Sequence, residues 1–199
     1  NRLVASTINQ YGLATLLFNL LTSEEEAFDQ ETGESRFDID LLACRLINAT
    51  DWVMKSAQTR GLPIGYFGAS TGAAAALKAA ALRTEVVRAV VSRGGRPDLA
   101  MDSLPLVTAP TLLIVGQEDR EVLRMNQQAA AKLSAPKELV VIPGATHLFE
   151  EPGAMEQVAR AAGQWFRQHL APVPQKSEIV VRRDDVSLQK TDDLDFTNA

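Results

Sequence analysis

The chain has 199 residues, 25 acidic and 20 basic side chains, a formal net charge of -5 and 46% hydrophobic residues. This suits one globular domain with a single core, and it gives no electrostatic ground for a nucleic-acid partner. The one cysteine, Cys44, excludes an internal disulfide and a thiolate metal cage.

No run of eighteen apolar residues marks a membrane span. Asn1-Arg2 has no charged head leading into an apolar stretch and a small-residue cleavage site, so a cytoplasmic location is the expectation. The start without methionine suggests either residues lost upstream or removal of a tag. Cys44 lies in LLACRLI, which predicts a buried, inert thiol.

In chain order, Arg2 to Gln10 reads as a short helix stopped near Gly12. LATLLFNL, from Leu13, is an apolar run of strand length. Thr22-Ser23 before three glutamates resembles a helix start or a solvated turn. Residues 27–37 are polar and read as loop. A helix capped by Asp38 or Asp40 is expected through Arg60, with Leu41, Leu42, Leu46, Ile47, Trp52 and Val53 near a 3.6 period and Gly61 as its stop.

IGYFGA, from Ile64, reads as the next strand, and TGAAAALKAAAL after Ser70 as a helix. VVRAVVSRG and TLLIVGQ are two more strands. Glu121 to Leu133 is a helix, ELVVIPG a fifth strand, and Pro152 opens a last helix to about His169. Helices of 10–18 residues thus alternate with near-continuously apolar strands. The pattern predicts an α/β fold, a mostly parallel sheet with helices on both faces. Ligands of such sheets bind beyond the carboxyl ends of the strands.

Three residues there carry chemistry. Gly68-Ala69-Ser70-Thr71-Gly72 is a G-x-S-x-G turn between strand and helix, which lifts a serine hydroxyl above the sheet. Otherwise Ser70 is an ordinary helix cap. Thr71 N–H, at the helix start, is a candidate oxyanion donor. Of two histidines, His147 lies in the loop after the fifth strand and is the candidate base; His169, in RQH, reads as a solvated helix-end residue. Asp119 is the candidate acid, with Glu118 as rival, and Asp98 and Asp102 read as caps or loop residues. Either Glu118 or Asp119 could equally be a cap. The order Ser70, Asp119, His147 is that of α/β-hydrolases.

Arg93 and Arg96 follow a strand end, and Arg36 sits in an earlier loop. All three are candidates to bind a substrate carboxylate, or else to pair with nearby acids. Trp52 and Trp165 read as core residues, and the alanines of 73–81 as close helix–sheet packing. No metal site, cofactor or dinucleotide motif is read from the chain.

The stretches YGLATLLFNLLTSEEE, RFDIDLLACRL, GYFGASTGAAAAL, VVSRGGRPDLA, TLLIVGQED and IPGATHLFEEPGAMEQVA resemble the dienelactone-hydrolase branch of the α/β-hydrolases over roughly residues 1–170. The resemblance implies an α/β-hydrolase catalytic domain without a large cap, with Ser70, Asp119 and His147 as nucleophile, acid and base. Founding members use cysteine as nucleophile, so serine here implies a carboxylesterase-like enzyme cleaving small to medium esters. A dienelactone-type lactonase and a non-catalytic binding protein of the same fold are the alternatives.

Relatives of the subgroup occur fused to or near phosphoribosyltransferase domains, which nothing here resembles. Such hydrolases also begin with further strands, one ending in a His-Gly loop that provides a second oxyanion donor. The expectation is therefore a chain that is truncated, processed or permuted, with about 3–4 kcal/mol of transition-state stabilisation at stake. A complementing N-terminal segment, or self-association through a sheet edge, would answer it. Residues 171–199 are expected as an extension in which EIVV and VSLQ form a short hairpin, before a loose end.

Overall fold

The computed structural model describes residues 1–170; the expected hairpin of 171–199 lies outside them. Among these residues six α-helices and four strands follow in chain order: α1 (Arg2–Gln10), α2 (Ser23–Thr32), α3 (Ile39–Lys55), β1 (Ile64–Ala69), α4 (Thr71–Leu82), β2 (Val87–Arg93), β3 (Thr111–Gly116), α5 (Arg120–Lys132), β4 (Lys137–Ile142) and α6 (Ala154–Leu170), with two 3-10 turns between β2 and β3. The strands are all parallel and lie in sequence order, β1-β2-β3-β4.

Every residue of β3 is buried, as a strand covered on both faces must be. Alternation along the strands sends side chains to two cores. Tyr66, Val90 and Leu113 meet α3, α4 and α5 on one face; Ala89, Val91, Leu112 and Ile114 meet α1 and α6 on the other. Ala73, Ala74, Ala75 and Ala76 of α4 are fully buried, and their small side chains let this helix lie close to the sheet.

Several expectations need correction. LATLLFNL is not a strand: residues 13–19 pair with no strand among the described residues, and Leu16, Leu17 and Phe18 are about half exposed. An apolar run becomes a strand only when a neighbour accepts its backbone hydrogen bonds. Four strands, not five, therefore make the described sheet, with β1 at one edge.

Residues 27–37 are not all loop. Thr22 and Glu25 form a reciprocal capping box, so α2 runs to Thr32, where Gly33 ends it at φ 70°; a 3-10 turn follows at Ser35–Phe37. The helix expected through Arg60 ends at Lys55, because Ser56 turns extended. With Leu42 and Ala43 facing the core, Cys44 and Trp52 fall on the solvent side. Trp165 is buried as expected.

Candidate active site

Ser70 follows β1 directly, and its backbone is held at φ 51°, ψ -122°. A β-carbon-bearing residue rarely takes such a conformation, which costs on the order of 1–3 kcal/mol. Neighbouring backbone enforces it: Ser70 N–H donates to Arg93 O at 3.2 Å, and Ser70 O accepts from Arg96 N–H at 3.1 Å. Gly68 is required beneath the turn, since a β-carbon there would lie 2.4 Å from Gly72 O and 2.6 Å from Ala73 Cα. Ser70 holds the N-cap position of α4, yet its hydroxyl makes no capping hydrogen bond. Thr71 is the first residue of α4, so its N–H has no acceptor within the helix.

Asp119 shows the same divergence. It is the N-cap of α5 without a side-chain capping bond, and its Oδ2 lies 2.6 Å from His147 Nδ1. Asp38, by contrast, does cap its helix, accepting from Leu41 N–H. The rival Glu118 is half exposed and reaches only Arg120, at 4.0 Å.

His147 is delivered by the loop after β4, which folds over the end of β3. Gln117 N–H donates to Ile142 O and Glu118 N–H to Ala145 O. A β-carbon at Gly116 would sit 2.3 Å from Ala145 O, so only glycine admits this approach. One at Gly94 would lie 3.5 Å from His147 Cε1. Gly94 adjoins Arg93, whose carbonyl holds Ser70, and so the imidazole and the serine turn flank the same short loop. Asp119 engages His147 through Nδ1, which leaves Nε2 unbonded to either Asp119 or Ser70.

The three arginines differ. Arg36 is paired with Asp29 at 2.6 Å and Arg96 with Asp98 at 2.7 Å. Arg93 has no carboxylate partner among the described residues; its guanidinium lies 5.7 Å from the centre of the Phe149 ring, and its Nε is buried without an acceptor. Burial pushes its pKa down. Asp98, expected as a cap or loop residue, is held by Arg96.

His169 lies in the last turn of α6 as expected, but it is only partly exposed: it packs on Trp165 with ring centroids 4.3 Å apart, and burial lowers its pKa. Sequence reasoning passed over Phe149, which closes the His147 loop from inside, buried and at φ 57°. Its only signal was an aromatic two residues after the histidine. No group of side chains able to hold a metal ion occurs among the described residues, and no described helix is long and apolar enough to cross a membrane.

These features can be set beside known proteins. Two Mycobacterium tuberculosis strains hold a relative, provisionally named a phosphoribosyl transferase, that is 59% identical over 170 residues. The match covers 85% of this chain and only 38% of that protein. The crystal structure of a dienelactone hydrolase from Anabaena variabilis is also 59% identical, with a TM-score of 0.83 over 85% of this chain and 79% of its own.

An esterase domain from Rhodothermus marinus (19% identity, TM-score 0.62, 84% of this chain and 79% of its own) and Est1E from Butyrivibrio proteoclasticus (16%, 0.59, 67% and 71%) share the fold. The fold is thus that of the α/β-hydrolases, as the resemblance implied, and its parallel sheet is the one the strand pattern predicted. The sequence pattern of the dienelactone hydrolase family matches residues 10–171, and this chain belongs to that family.

Proposed function

We propose that this chain is a cytoplasmic serine hydrolase of carboxylesterase type, acting on small to medium esters. One observation carries the reading. Ser70 and Asp119 both occupy helix N-cap positions, and neither side chain caps its helix; the carboxylate is bonded to an imidazole beside the serine turn.

Asp119 fixes the imidazole with Nδ1 protonated, so His147 Nε2 is free to take the Ser70 proton as Oγ attacks the ester carbonyl. Thr71 N–H donates to the oxyanion. His147 then passes the proton to the leaving alcohol, leaving an acyl-enzyme. Water, deprotonated by His147, attacks that ester and restores Ser70. Arg93, the candidate arginine without a carboxylate partner among the described residues, is the one suited to meet an anionic group of the substrate.

The test is exposure to a fluorophosphonate followed by intact-mass measurement. One adduct at Ser70, absent in Ser70→Ala, is expected. A folded protein that acquires none overturns the proposal. The family match favours lactone opening as a second reading; turnover of an enol lactone in preference to open-chain esters of the same acid would select it.

A further inference from the structure

The loop Gly94–Arg96 touches both His147 and the Ser70 turn. Gly94 abuts His147, and its N–H donates to Ile114 O at 2.7 Å. Arg96 N–H holds the Ser70 carbonyl. Gly95, between them, packs so closely on Ala73 of α4 that a β-carbon would lie 2.7 Å from the Ala73 methyl. The Gly95 carbonyl accepts a hydrogen bond from Asn126 Nδ2 at 3.0 Å.

Asn126 lies on α5 and is completely buried. The same amide nitrogen donates to Val122 O at 2.8 Å, one turn earlier. Both amide protons are thus committed, one to α5 itself and one to the loop. Its Oδ1 is buried and meets no donor among the described residues. For packing alone this amide is a poor choice, because an unpartnered buried oxygen is costly where an apolar side chain of similar volume would incur no such penalty. Its donors do something packing cannot: Asn126 lies two turns into α5, the helix whose N-cap position Asp119 holds. One buried side chain therefore ties the helix that follows Asp119 to the loop that clamps the Ser70 turn.

We propose that Asn126 is a positioning residue of the Ser70–His147–Asp119 site, locking loop Gly94–Arg96 to α5 and so fixing the serine turn relative to the acid–base pair. This rests on the hydrolase reading above. The Asp119–His147 pair is built by the loops after β3 and β4 and does not need the lock. The serine turn does, since Arg96 N–H is one of three backbone hydrogen bonds at Ser70, beside Ser70 N–H to Arg93 O and Ala73 N–H to Ser70 O, and is the one that loop Gly94–Arg96 donates. Loss of the lock therefore affects the reactivity of Ser70 and leaves the Asp119–His147 hydrogen bond in place.

The test compares wild type with Asn126→Leu, Asn126→Ser and Thr50→Val. Leucine removes both donors at similar volume. Serine keeps a helix-internal donor to Val122 O but cannot reach Gly95. Thr50→Val removes a buried hydrogen bond to Tyr66, made from α3 and remote from the loop. We expect the fluorophosphonate labelling rate and kcat to fall by about 10- to 100-fold in both Asn126 variants. KM for a neutral ester is expected to stay within about threefold. In Asn126→Ser the low-field proton resonance of the His147–Asp119 hydrogen bond persists while the Arg96 amide exchanges faster. Thr50→Val loses thermal stability but labels at the wild-type rate.

Labelling of Asn126→Ser at the wild-type rate, with unchanged Arg96 exchange, overturns the proposal. So does an equal loss in Thr50→Val, which would reduce the effect to general destabilisation. Should Asn126→Leu fail to fold, Asn126→Ser decides. Failure of the hydrolase reading is separately visible as a wild-type protein that takes no adduct, and Arg96 exchange in Asn126→Ser still reports the lock.

Discussion

Asp119 stands where a helix cap should be and gives its carboxylate to His147 instead, 28 residues further along the chain, at 2.6 Å. The cost of an uncapped helix end is about 1 kcal/mol, small beside what an oriented imidazole contributes to proton transfer. Asp119→Asn keeps the shape but removes the charge and favours the wrong tautomer. It is expected to lower kcat by roughly 10⁴-fold, with the fold intact by circular dichroism. Asp38→Ala, which removes a working cap, should cost about 1 kcal/mol of stability and leave kcat unchanged. A kcat for Asp119→Asn within tenfold of wild type would remove Asp119 from the mechanism.

Gly68→Ala drives a methyl into the Gly72 carbonyl and the Ala73 Cα, both backbone and unable to rotate away. The strand and α4 must separate at the serine turn. Destabilisation on the order of 1–3 kcal/mol is expected in a denaturant melt, together with loss of fluorophosphonate labelling. Labelling at the wild-type rate would show that the turn tolerates a wider crossing than its geometry implies.

Arg93→Met leaves an apolar side chain beside Phe149 and removes the charge. If the guanidinium meets an anion on the substrate, kcat/KM for a mono-anionic half-ester should fall at least about tenfold relative to the neutral diester, the scale of one charged hydrogen bond. Equal losses on both substrates would instead assign Arg93 to the architecture of the His147 loop.

Glu25 supplies a pH dependence remote from the site. Hydrogen bonding to the Arg45 guanidinium, followed by the Thr22 N–H, draws its carboxyl from 4.5 to about 2. A depressed acid stabilises the fold fully above its unfolded pKa and loses that contribution as pH falls toward the folded one. The difference in melting temperature between wild type and Glu25→Gln should therefore hold steady above about pH 5 and shrink between roughly pH 4.5 and 2. It should also shrink with added salt, because the pair is at the surface. A difference that stays constant down to pH 2.5, or a Glu25 carboxyl that titrates normally by NMR, would show the ion pair to be ineffective in solution.

Much of this was readable in advance because short apolar runs set between helical patterns leave little choice of structure. The strands at Ile64, Val87, Thr111 and Lys137 follow from composition, as does the helix of alanines after Ser70. Two kinds of feature were not readable. Whether LATLLFNL becomes a strand depends on a neighbour for its backbone, which no local pattern encodes. Whether Ser70 and Asp119 cap their helices or turn toward a histidine depends on loops that meet only after folding. The sequence placed both residues at helix starts, and the alternative of plain capping yields only to the geometry. Asn126 was invisible for the same reason: an asparagine in a helix rich in alanine and glutamine gives no sign that its partner is a carbonyl 31 residues earlier.

The strictly sequential sheet has a consequence for how reactivity arises as the protein is made. On the proposed chemistry, the nucleophile follows β1, the acid follows β3 and the base follows β4, so a ribosome releases them in that order. A nascent chain that has reached Asp119 already carries the strained serine but has nothing to deprotonate it. The base arrives with the loop after β4 and is seated only when that loop settles over Gly116 and Gly94. Esterase activity would therefore wait for that loop, and a nascent chain stopped short of His147 would hold a serine with no base to deprotonate it.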